Sequence, residues 1–323
     1  MAAVTPGDGW AQAERMAGTS FWDHFDFFTA SDPTHGYIRY VDEATCRSDG
    51  IINVTASGAV RMAVDARAKA TGPRDSVRLT SKAVYNGGLF VLDVAHIPTG
   101  CGTWPAWWLV GPSWPTHGEI DIIEGVHKNT QNAMTLHTDQ GCTQAEVPKS
   151  AFSGDRNTGA NGQPTTNCWI NAPGQYANQG CGILGSNGSY GAPLNSRGGG
   201  VYAAEWSTDA AAGGVKVYFW PRGSVPADVA AGKPSGSAAG WGLPAAAFAF
   251  DGADCPAAHF SEMQMVFDLV VCGDWAGNTF AQACPGLGTC QQFSDDHPEE
   301  LAEAYWLVNS VTVYTRANDT AAL

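Results

Sequence analysis

The amino-acid sequence predicts an all-β fold, a sandwich built from antiparallel sheets. Alternating or wholly apolar runs of strand length recur along the chain, each bounded by Gly, Pro, Asn or Ser. Helical patterning is confined to short pieces such as 298–304, so the chain lacks the crossover helices that a parallel sheet requires. The 39 glycines and 18 prolines are typical of a chain with many turns.

The predicted strands follow one another in the same style along most of the chain. The first of them forms a hairpin, because the pair Ser57-Gly58 interrupts an apolar, alternating run with a turn signal. About ten runs meet the criteria for a strand: 52–64, 76–82, 88–97, 104–110, 119–126, 134–138, 201–207, 215–220, 263–271 and 305–315.

Two segments between the predicted strands are rich in Gly, Ala, Asn, Ser and Pro, which is typical of loops. They lie at about 142–200 and 223–262 and are predicted to be long surface insertions. Strands of the same style resume after each segment, so neither segment is a domain linker. We therefore expect one domain that spans 1–323, a length that single all-β domains reach.

The composition excludes several classes of partner. The chain has 17 Lys and Arg residues against 31 Asp and Glu residues, and its net charge of −14 repels phosphate backbones and anionic lipid surfaces. A hydrophobic content of 44% is too high for a disordered chain. Apolar runs are interrupted before they reach the roughly 20 residues of a membrane-spanning helix. We expect a soluble globular protein that binds neither nucleic acid nor membranes.

The cysteine pattern indicates an oxidising compartment. Nine cysteines occur without a Cys-x-x-Cys pair or zinc-spaced histidines, so up to four disulfides and one remaining thiol are a better interpretation than a metal site. Glycosylation sequons at Asn53, Asn187 and Asn318 fit a secreted glycoprotein. The segment that starts at Met1 lacks the basic and apolar regions of a signal peptide, and we expect that the signal peptide has been removed.

The most informative segment is Gly-Glu-Ile-Asp-Ile-Ile-Glu-Gly, which begins at Gly118. In a regular strand Glu119 and Asp121 point to one face and Glu124 points to the other. A β-bulge at the two adjacent isoleucines would absorb one residue and return Glu124 to the first face. We predict such a bulge, which aligns three carboxylates on one face of one strand.

Three aligned carboxylates repel one another, so their alignment indicates catalysis. Two carboxyls that flank a glycosidic bond serve as nucleophile and acid, and a carboxylate between them raises the pKa of its neighbours. The alternative is an exposed acidic strand with ordinary alternation, although exposed faces usually mix acids with Lys, Thr and Ser.

Tryptophans cluster near the acidic segment. Trp104, Trp107, Trp108 and Trp114 precede it, and Trp275 lies further along the chain. Flat aromatic faces pack on sugar rings, but Trp also fills protein cores, and alternation indicates that either Trp107 or Trp108 points inward. We predict a sugar-binding platform, with Trp107 or Trp114 on one side of the scissile bond and Trp275 on the other.

These motifs resemble those of glycoside hydrolase family 16, whose signature the acidic segment matches in its bulged form. The similarity extends over 104–109, 134–138, 201–206, 215–220 and 267–278. The nearest group is the fungal laminarinase type, endo-β-1,3(4)-glucanases. The resemblance implies a concanavalin A-like β-jelly-roll of two antiparallel sheets, with an open cleft on the concave sheet.

The resemblance also implies the catalytic roles. Glu119 is the expected nucleophile, Asp121 the helper and Glu124 the acid/base of a retaining reaction. In retaining enzymes the two catalytic carboxyls stand about 5 to 5.5 Å apart, which we expect for Glu119 and Glu124 with Asp121 between them.

Further side chains match the family less firmly. His137 is expected beside the catalytic acids, with a hydrogen-bonded core histidine as the alternative. Arg78 is expected to reach sugar hydroxyls, unless it is an ordinary surface charge. Glu205 faces the cleft or takes a buried hydrogen bond. Many relatives hold a calcium ion near the C-terminal strand, but 307–312 lacks the expected Asp, so we predict neither metal nor cofactor.

The predicted protein is a secreted, monomeric endo-β-glucanase. Its expected substrates are neutral β-1,3-glucans, mixed-linkage β-1,3-1,4-glucans or both. A cell-wall transglycosylase would use the same residues and differs only in whether water or a sugar resolves the intermediate. A non-catalytic lectin would share the aromatic platform, but it has no need of aligned carboxylates.

Overall fold

The computed structural model describes residues 9–209, 213–236 and 238–316. Strands predominate in this part of the chain, and the helices are short. The strands are β1 Ala11–Met16, β2 Phe25–Phe27, β3 Ile38–Tyr40, β4 Ile52–Val54, β5 Val60–Ala63, β6 Arg74–Ser76, β7 Arg78–Ser81, β8 Gly88–His96, β9 Thr103–Val110, β10 Glu119–Glu124, β11 Ala133–His137, β12 Asp155–Arg156, β13 Cys181–Leu184, β14 Gly200–Ser207, β15 Gly214–Pro221, β16 Ala246–Ala249, β17 Gln264–Val271 and β18 Tyr305–Thr315.

The α-helices have four to seven residues each. They are α1 Glu43–Ser48, α2 Gly191–Asn195, α3 Ala227–Ala230, α4 Ala238–Trp241, α5 Asn278–Ala283 and α6 Cys290–Asp296. Short 3₁₀ helices lie at Gly18–His24, Lys149–Ala151, Ala257–His259 and Pro298–Leu301, and a π-helical turn lies at Gly273–Gly277. No helix in the described ranges is long and apolar enough to cross a membrane.

Two eight-stranded antiparallel sheets make up the fold. Sheet I has the order β16-β15-β14-β8-β18-β5-β4, and β1 also pairs with β18. Sheet II has the order β12-β13-β11-β10-β9-β17-β7-β2. A small parallel pair, β3 with β6, lies outside both sheets. The predicted antiparallel sandwich is confirmed.

The main core lies between the two sheets, because alternate residues of each strand point inward. Leu92 of β8 and Leu109 of β9 face this core from opposite sheets and have no exposed surface. The Trp306 ring packs edge-on against Phe267 at 5.6 Å, and its indole N–H donates to the Asp268 carbonyl at 3.0 Å. This contact joins β18 of sheet I to β17 of sheet II.

Four disulfides form, as predicted, and the thiol of Cys46 is free and buried. The pairs are Cys101–Cys284, Cys142–Cys255, Cys168–Cys181 and Cys272–Cys290. The second pair joins the two predicted insertions to each other, and the third closes a loop within the first insertion. Of the sequons, Asn53 and Asn187 are exposed, whereas Asn318 lies outside the described residues.

The structure differs from the predicted loops within both insertions. Strands β12 and β13 extend sheet II within 142–200, and β16 is the edge of sheet I within 223–262. The segment Cys181–Leu184 has no alternation of its own. It forms a strand because β11 offers a ladder edge beside it, as the pairing of Met134 with Ile183 shows.

Candidate active site

The acidic segment forms β10, in the middle of sheet II between β9 and β11. Against β11 the register passes from Asp121 opposite Thr135 to Glu124 opposite Ala133, so three steps on β10 match two steps on β11. This extra residue is the predicted β-bulge, which is therefore confirmed.

The bulge separates the acids of β10 from its isoleucines. Ile120, Ile122 and Ile123 are at most 1% exposed and belong to the main core. The carboxyls of Glu119 and Asp121 instead reach the outer face of sheet II. There Nε2 of His137, the residue opposite Glu119 on β11, lies 3.2 Å from Asp121 Oδ2 and 3.8 Å from Glu119 Oε1.

The two glutamates have different tryptophan neighbours. The Trp104 indole N–H donates to Glu124 Oε1 at 2.8 Å. The Trp114 indole lies beside Glu119 and lowers the pKa of its carboxyl. Each glutamate therefore has a tryptophan of its own beside it.

Burial and mutual repulsion raise the pKa values of both glutamates. Burial, and next the charge of Asp121, raise the pKa of Glu119 to about 8, against the lowering effects of His137, Trp114 and Arg78. Burial and Asp121 also raise the pKa of Glu124 well above its usual value, although the Trp104 hydrogen bond lowers it. Asp121 thus holds back the ionisation of both neighbours.

His137 is the cation of this group. Burial by itself lowers the pKa of His137, but the surrounding carboxylates outweigh burial and raise the pKa to about 9. The imidazole is therefore protonated at neutral pH. It stabilises the ionised forms of the acids that it contacts.

Glu119, Asp121 and His137 are also the one group in the described ranges with the geometry of a metal site. Each offers a ligand atom, and the three atoms lie within 4.8 Å of one another. A metal ligand must be an unprotonated imidazole, and Nε2 of His137 already lies at ion-pair distance, 3.2 Å, from Asp121 Oδ2.

The tryptophans of β9 that were predicted to form the aromatic platform point to two different faces of the strand. Trp104 and Trp108 are partly exposed on the outer face of sheet II, beside the acids. Trp107 points inward with Leu109, has no exposed surface and packs against Phe267 with ring centroids 6.0 Å apart. The prediction that Trp107 contacts sugar is wrong, because its ring lies in the core.

The other two predicted tryptophans lie at opposite ends of the acidic strand. Trp114 is 41% exposed and lies beside Glu119, the first residue of β10, whose pKa it lowers. Trp275 is partly exposed and packs edge-to-face on Trp104, with centroids 6.0 Å apart, next to Glu124, the last residue of β10. The two rings can therefore bracket a chain that crosses the acids.

Arg78 lies on the same face as the acids, and beside it lies Asp268, an acid that was not predicted as a site residue from the sequence. The Arg78 guanidinium lies 5.0 Å from the centroid of the Trp108 ring and 4.7 Å from that of Phe28. Asp268 is buried beside them and accepts a 3.0 Å hydrogen bond from Trp108 Nε1. Burial raises the pKa of Asp268 to about 7, against the lowering effect of Arg78. The sequence feature that could have identified Asp268 as a site residue is its position as a single acid within the apolar run of β17.

Glu205 lies elsewhere. Its neighbours Ala204 and Trp206 point into the main core, so Glu205 points away from the core on the outer face of sheet I. There its Oε1 pairs with Arg316 Nη2 at 3.0 Å. The prediction that Glu205 faces the cleft is wrong, because it stands on the sheet opposite to the acids.

Comparison with known families places the chain among carbohydrate-active proteins. A family model described as "XgeA-like, catalytic GH16 domain" matches residues 25–314. An endo-1,3(4)-beta-glucanase of Arthroderma benhamiae is 40% identical over 307 residues, which cover 91% of this chain and 62% of that protein. The chain spans about half the length of most of the curated relatives that it matches.

Solved structures that resemble 95% of this chain include two with a TM-score of 0.84. Laminarinase 16A from Phanerochaete chrysosporium, with 6-O-glucosyl-laminaritriose in both donor and acceptor sites, has a TM-score of 0.84 and 35% identity over 95% of this chain and 99% of its own. An elongating GH family 16 beta-1,3-glucosyltransferase has the same TM-score and identity, over 95% of this chain and 100% of its own.

Proposed function

The chain belongs to glycoside hydrolase family 16, and from this premise we propose that it hydrolyses internal linkages of β-glucans with retention of configuration. The proposed substrates are β-1,3-glucans, mixed-linkage β-1,3-1,4-glucans or both. The observation that carries the proposal is the bulge of β10, which gathers the carboxyls and His137 on a face lined with tryptophan. That face suits a neutral, extended sugar chain, because stacking rings bind sugars without requiring charge.

In the proposed mechanism Glu119 attacks the anomeric carbon and forms a covalent glycosyl-enzyme. Glu124 gives its proton to the departing glycosidic oxygen as the old bond breaks, and later takes a proton from the water that attacks the intermediate. The raised pKa of Glu124 supports its role as the acid. The His137 cation and the Trp114 indole lower the pKa of Glu119 and so favour the ionised form that a nucleophile requires, whereas burial and the charge of Asp121 act in the opposite direction and raise that pKa to about 8.

Product analysis tests this proposal. Purified protein incubated with laminarin and with cereal β-glucan should release reducing ends, and the size pattern of the oligosaccharides identifies the linkages cleaved. The product observed first by NMR should be the β-anomer, since two displacements retain configuration. A first-formed α-anomer, or the absence of new reducing ends, would refute the proposal.

A transglycosylase is the second candidate. The similarity to an elongating GH family 16 beta-1,3-glucosyltransferase, which covers 95% of this chain, favours this candidate. Such an enzyme forms the same glycosyl-enzyme, but a glucan hydroxyl replaces water in the second step. Glucan chains longer than the starting oligosaccharide, with no net gain of reducing ends, would identify this activity.

The proposed setting is extracellular. Four disulfides are most stable in an oxidising compartment, and the proposed substrate is a polysaccharide. We also propose that the protein acts as a monomer, since one chain supplies every residue of the site described above.

Replacing the exposed tryptophans is expected to weaken substrate binding. Trp114→Ala and Trp275→Ala should each lower kcat/KM on laminarin. The expected loss of transition-state stabilisation is only about 1 to 2 kcal/mol per ring, because part of each ring is already in solvent. Trp107→Ala should instead lower the unfolding free energy by about 3 to 5 kcal/mol, because it leaves a core cavity. Steady-state kinetics and thermal unfolding measure the two effects. Wild-type kinetics in both Trp114→Ala and Trp275→Ala would contradict the platform.

The pH profile of kcat/KM is expected to shift in opposite directions when the two charges beside the glutamates are removed. Asp121→Asn removes a repelling negative charge, so the pKa values of Glu119 and Glu124 fall. The acid limb of the profile, which belongs to Glu119, and the basic limb, which belongs to Glu124, therefore both move to lower pH. His137→Gln removes a cation, so both pKa values rise and the limbs move to higher pH. Asp155→Asn, at the exposed edge of sheet II, is the control and should leave the profile in place. Shifts of the same sign in the two site variants would contradict this electrostatic account.

A further inference from the structure

The side chain of Asn132 takes the place of the strand ladder at the bulge of β10. Its Nδ2 donates to the Ile122 carbonyl at 2.7 Å, and its Oδ1 accepts from the Glu124 backbone N–H at 2.9 Å. Between these two backbone groups the regular pairing of β10 with β11 is interrupted. The amide thus bonds to both sides of the bulge, with its donor and its acceptor each matched to the opposite kind of group.

Asn132 is itself held firmly. It is 1% exposed, its backbone N–H donates to Ser189 Oγ at 2.9 Å, and its carbonyl accepts from the Gly185 N–H at 2.8 Å. Because it directly precedes β11, the amide has a defined position relative to sheet II. It therefore forms a rigid support for the bulge rather than a passive cover.

We propose that Asn132 is a positioning residue that sets the location of the Glu124 carboxyl. Without the extra residue of the bulge, strand alternation would turn Glu124 away from the face that Glu119 occupies. The Asn132 bonds fix the conformation of the peptide units that carry Glu124, and so they hold the acid within reach of the glycosidic oxygen. The inference rests on the proposed function, since it assigns a structural cause to the acid/base role of Glu124.

Asn195 offers a matched control. Its Oδ1 accepts from the Ile97 N–H and its Nδ2 donates to the Ile97 carbonyl, both at 2.9 Å. It makes the same two kinds of bond as Asn132, but to the segment that follows β8 rather than to β10. The substitutions Asn132→Asp and Asn195→Asp remove one equivalent donor from each residue, keep the side-chain size and place an acid at each position.

The test compares two substrates that differ in their need for an acid. Asn132→Asp should lower kcat on laminarin about 10- to 100-fold with KM changed less than about threefold, because a displaced acid slows the chemical step more than binding. On an aryl β-laminaribioside with a dinitrophenolate leaving group the loss should be less than about fivefold, because this group departs without protonation. Asn195→Asp should keep the wild-type kcat on both substrates.

Three results would overturn the inference: an unchanged kcat on laminarin in Asn132→Asp, an equal loss on both substrates, or the same pattern in Asn195→Asp. If Asn132→Asp does not fold, Ser189→Ala provides a second test, because it removes the acceptor of the Asn132 N–H. This variant should also lose more activity on laminarin than on the aryl glycoside, although the difference should be smaller. An equal loss on both substrates would again overturn the inference. A wild-type protein that cleaves neither substrate would refute the proposed function itself, whereas failure of the inference leaves the wild-type active.

Discussion

Glu119→Gln is expected to abolish glucan hydrolysis while the protein still folds and binds oligosaccharides. The glutamine has nearly the same shape and keeps an acceptor oxygen beside Trp114, so the site should keep its form. It cannot form the covalent intermediate, and loss of a nucleophile costs about 10⁴-fold or more in kcat. Reducing-end assays measure the activity, and calorimetry with laminari-oligosaccharides measures the binding.

A smaller side chain at the same position gives a stereochemical test. In Glu119→Gly, azide can enter the space of the missing carboxylate and attack the anomeric carbon in a single displacement, which gives an α-glycosyl azide. Recovery of the β-glycosyl azide would contradict the assignment of Glu119 as nucleophile. Glu205→Gln is the control, because Glu205 pairs with Arg316 on the opposite sheet and its loss should leave kcat near the wild-type value.

Glu124→Ala is expected to make the reaction depend strongly on the leaving group. Without the acid, laminarin should be cleaved about 10²- to 10⁴-fold more slowly, while aryl glycosides with good leaving groups keep most of the rate of their first step. The basic limb of the kcat/KM profile should vanish. That limb arises because the raised pKa of Glu124 keeps its proton in place until the pH rises through that pKa.

Azide distinguishes this variant from the nucleophile variant. In Glu124→Ala the glycosyl-enzyme still forms at Glu119, and azide that resolves it should give a β-glycosyl azide, the opposite anomer to that expected from Glu119→Gly. Equal impairment on good and poor leaving groups, with the basic limb unchanged, would show that Glu124 is not the acid.

Strand alternation predicted how the three acids of β10 are arranged, whereas their catalytic roles were implied by the family resemblance. The spacing of Glu119, Asp121 and Glu124 is incompatible with one face of a regular strand, and this mismatch predicted the bulge that the structure contains. The nine cysteines predicted up to four disulfides and one remaining thiol without determining the pairs. The bulge was predictable because it depends on the local geometry of the chain, which neighbouring residues determine. The number of disulfides was predictable because it depends only on how many cysteines the chain contains.

The tertiary structure decided what local geometry leaves open. Alternation predicted that either Trp107 or Trp108 points inward, but the position of the second sheet determined that Trp107 enters the core. Strand alternation correctly turns Glu205 away from the core, but its strand, β14, belongs to sheet I and not to the sheet that carries the acids. The order of strands in a sheet is not encoded in sequence periodicity. Asn132 supports the bulge through bonds to backbone groups eight and ten residues away. Each of these outcomes depends on which strand comes to lie beside which, and that is determined by the packing of the whole chain rather than by any single segment.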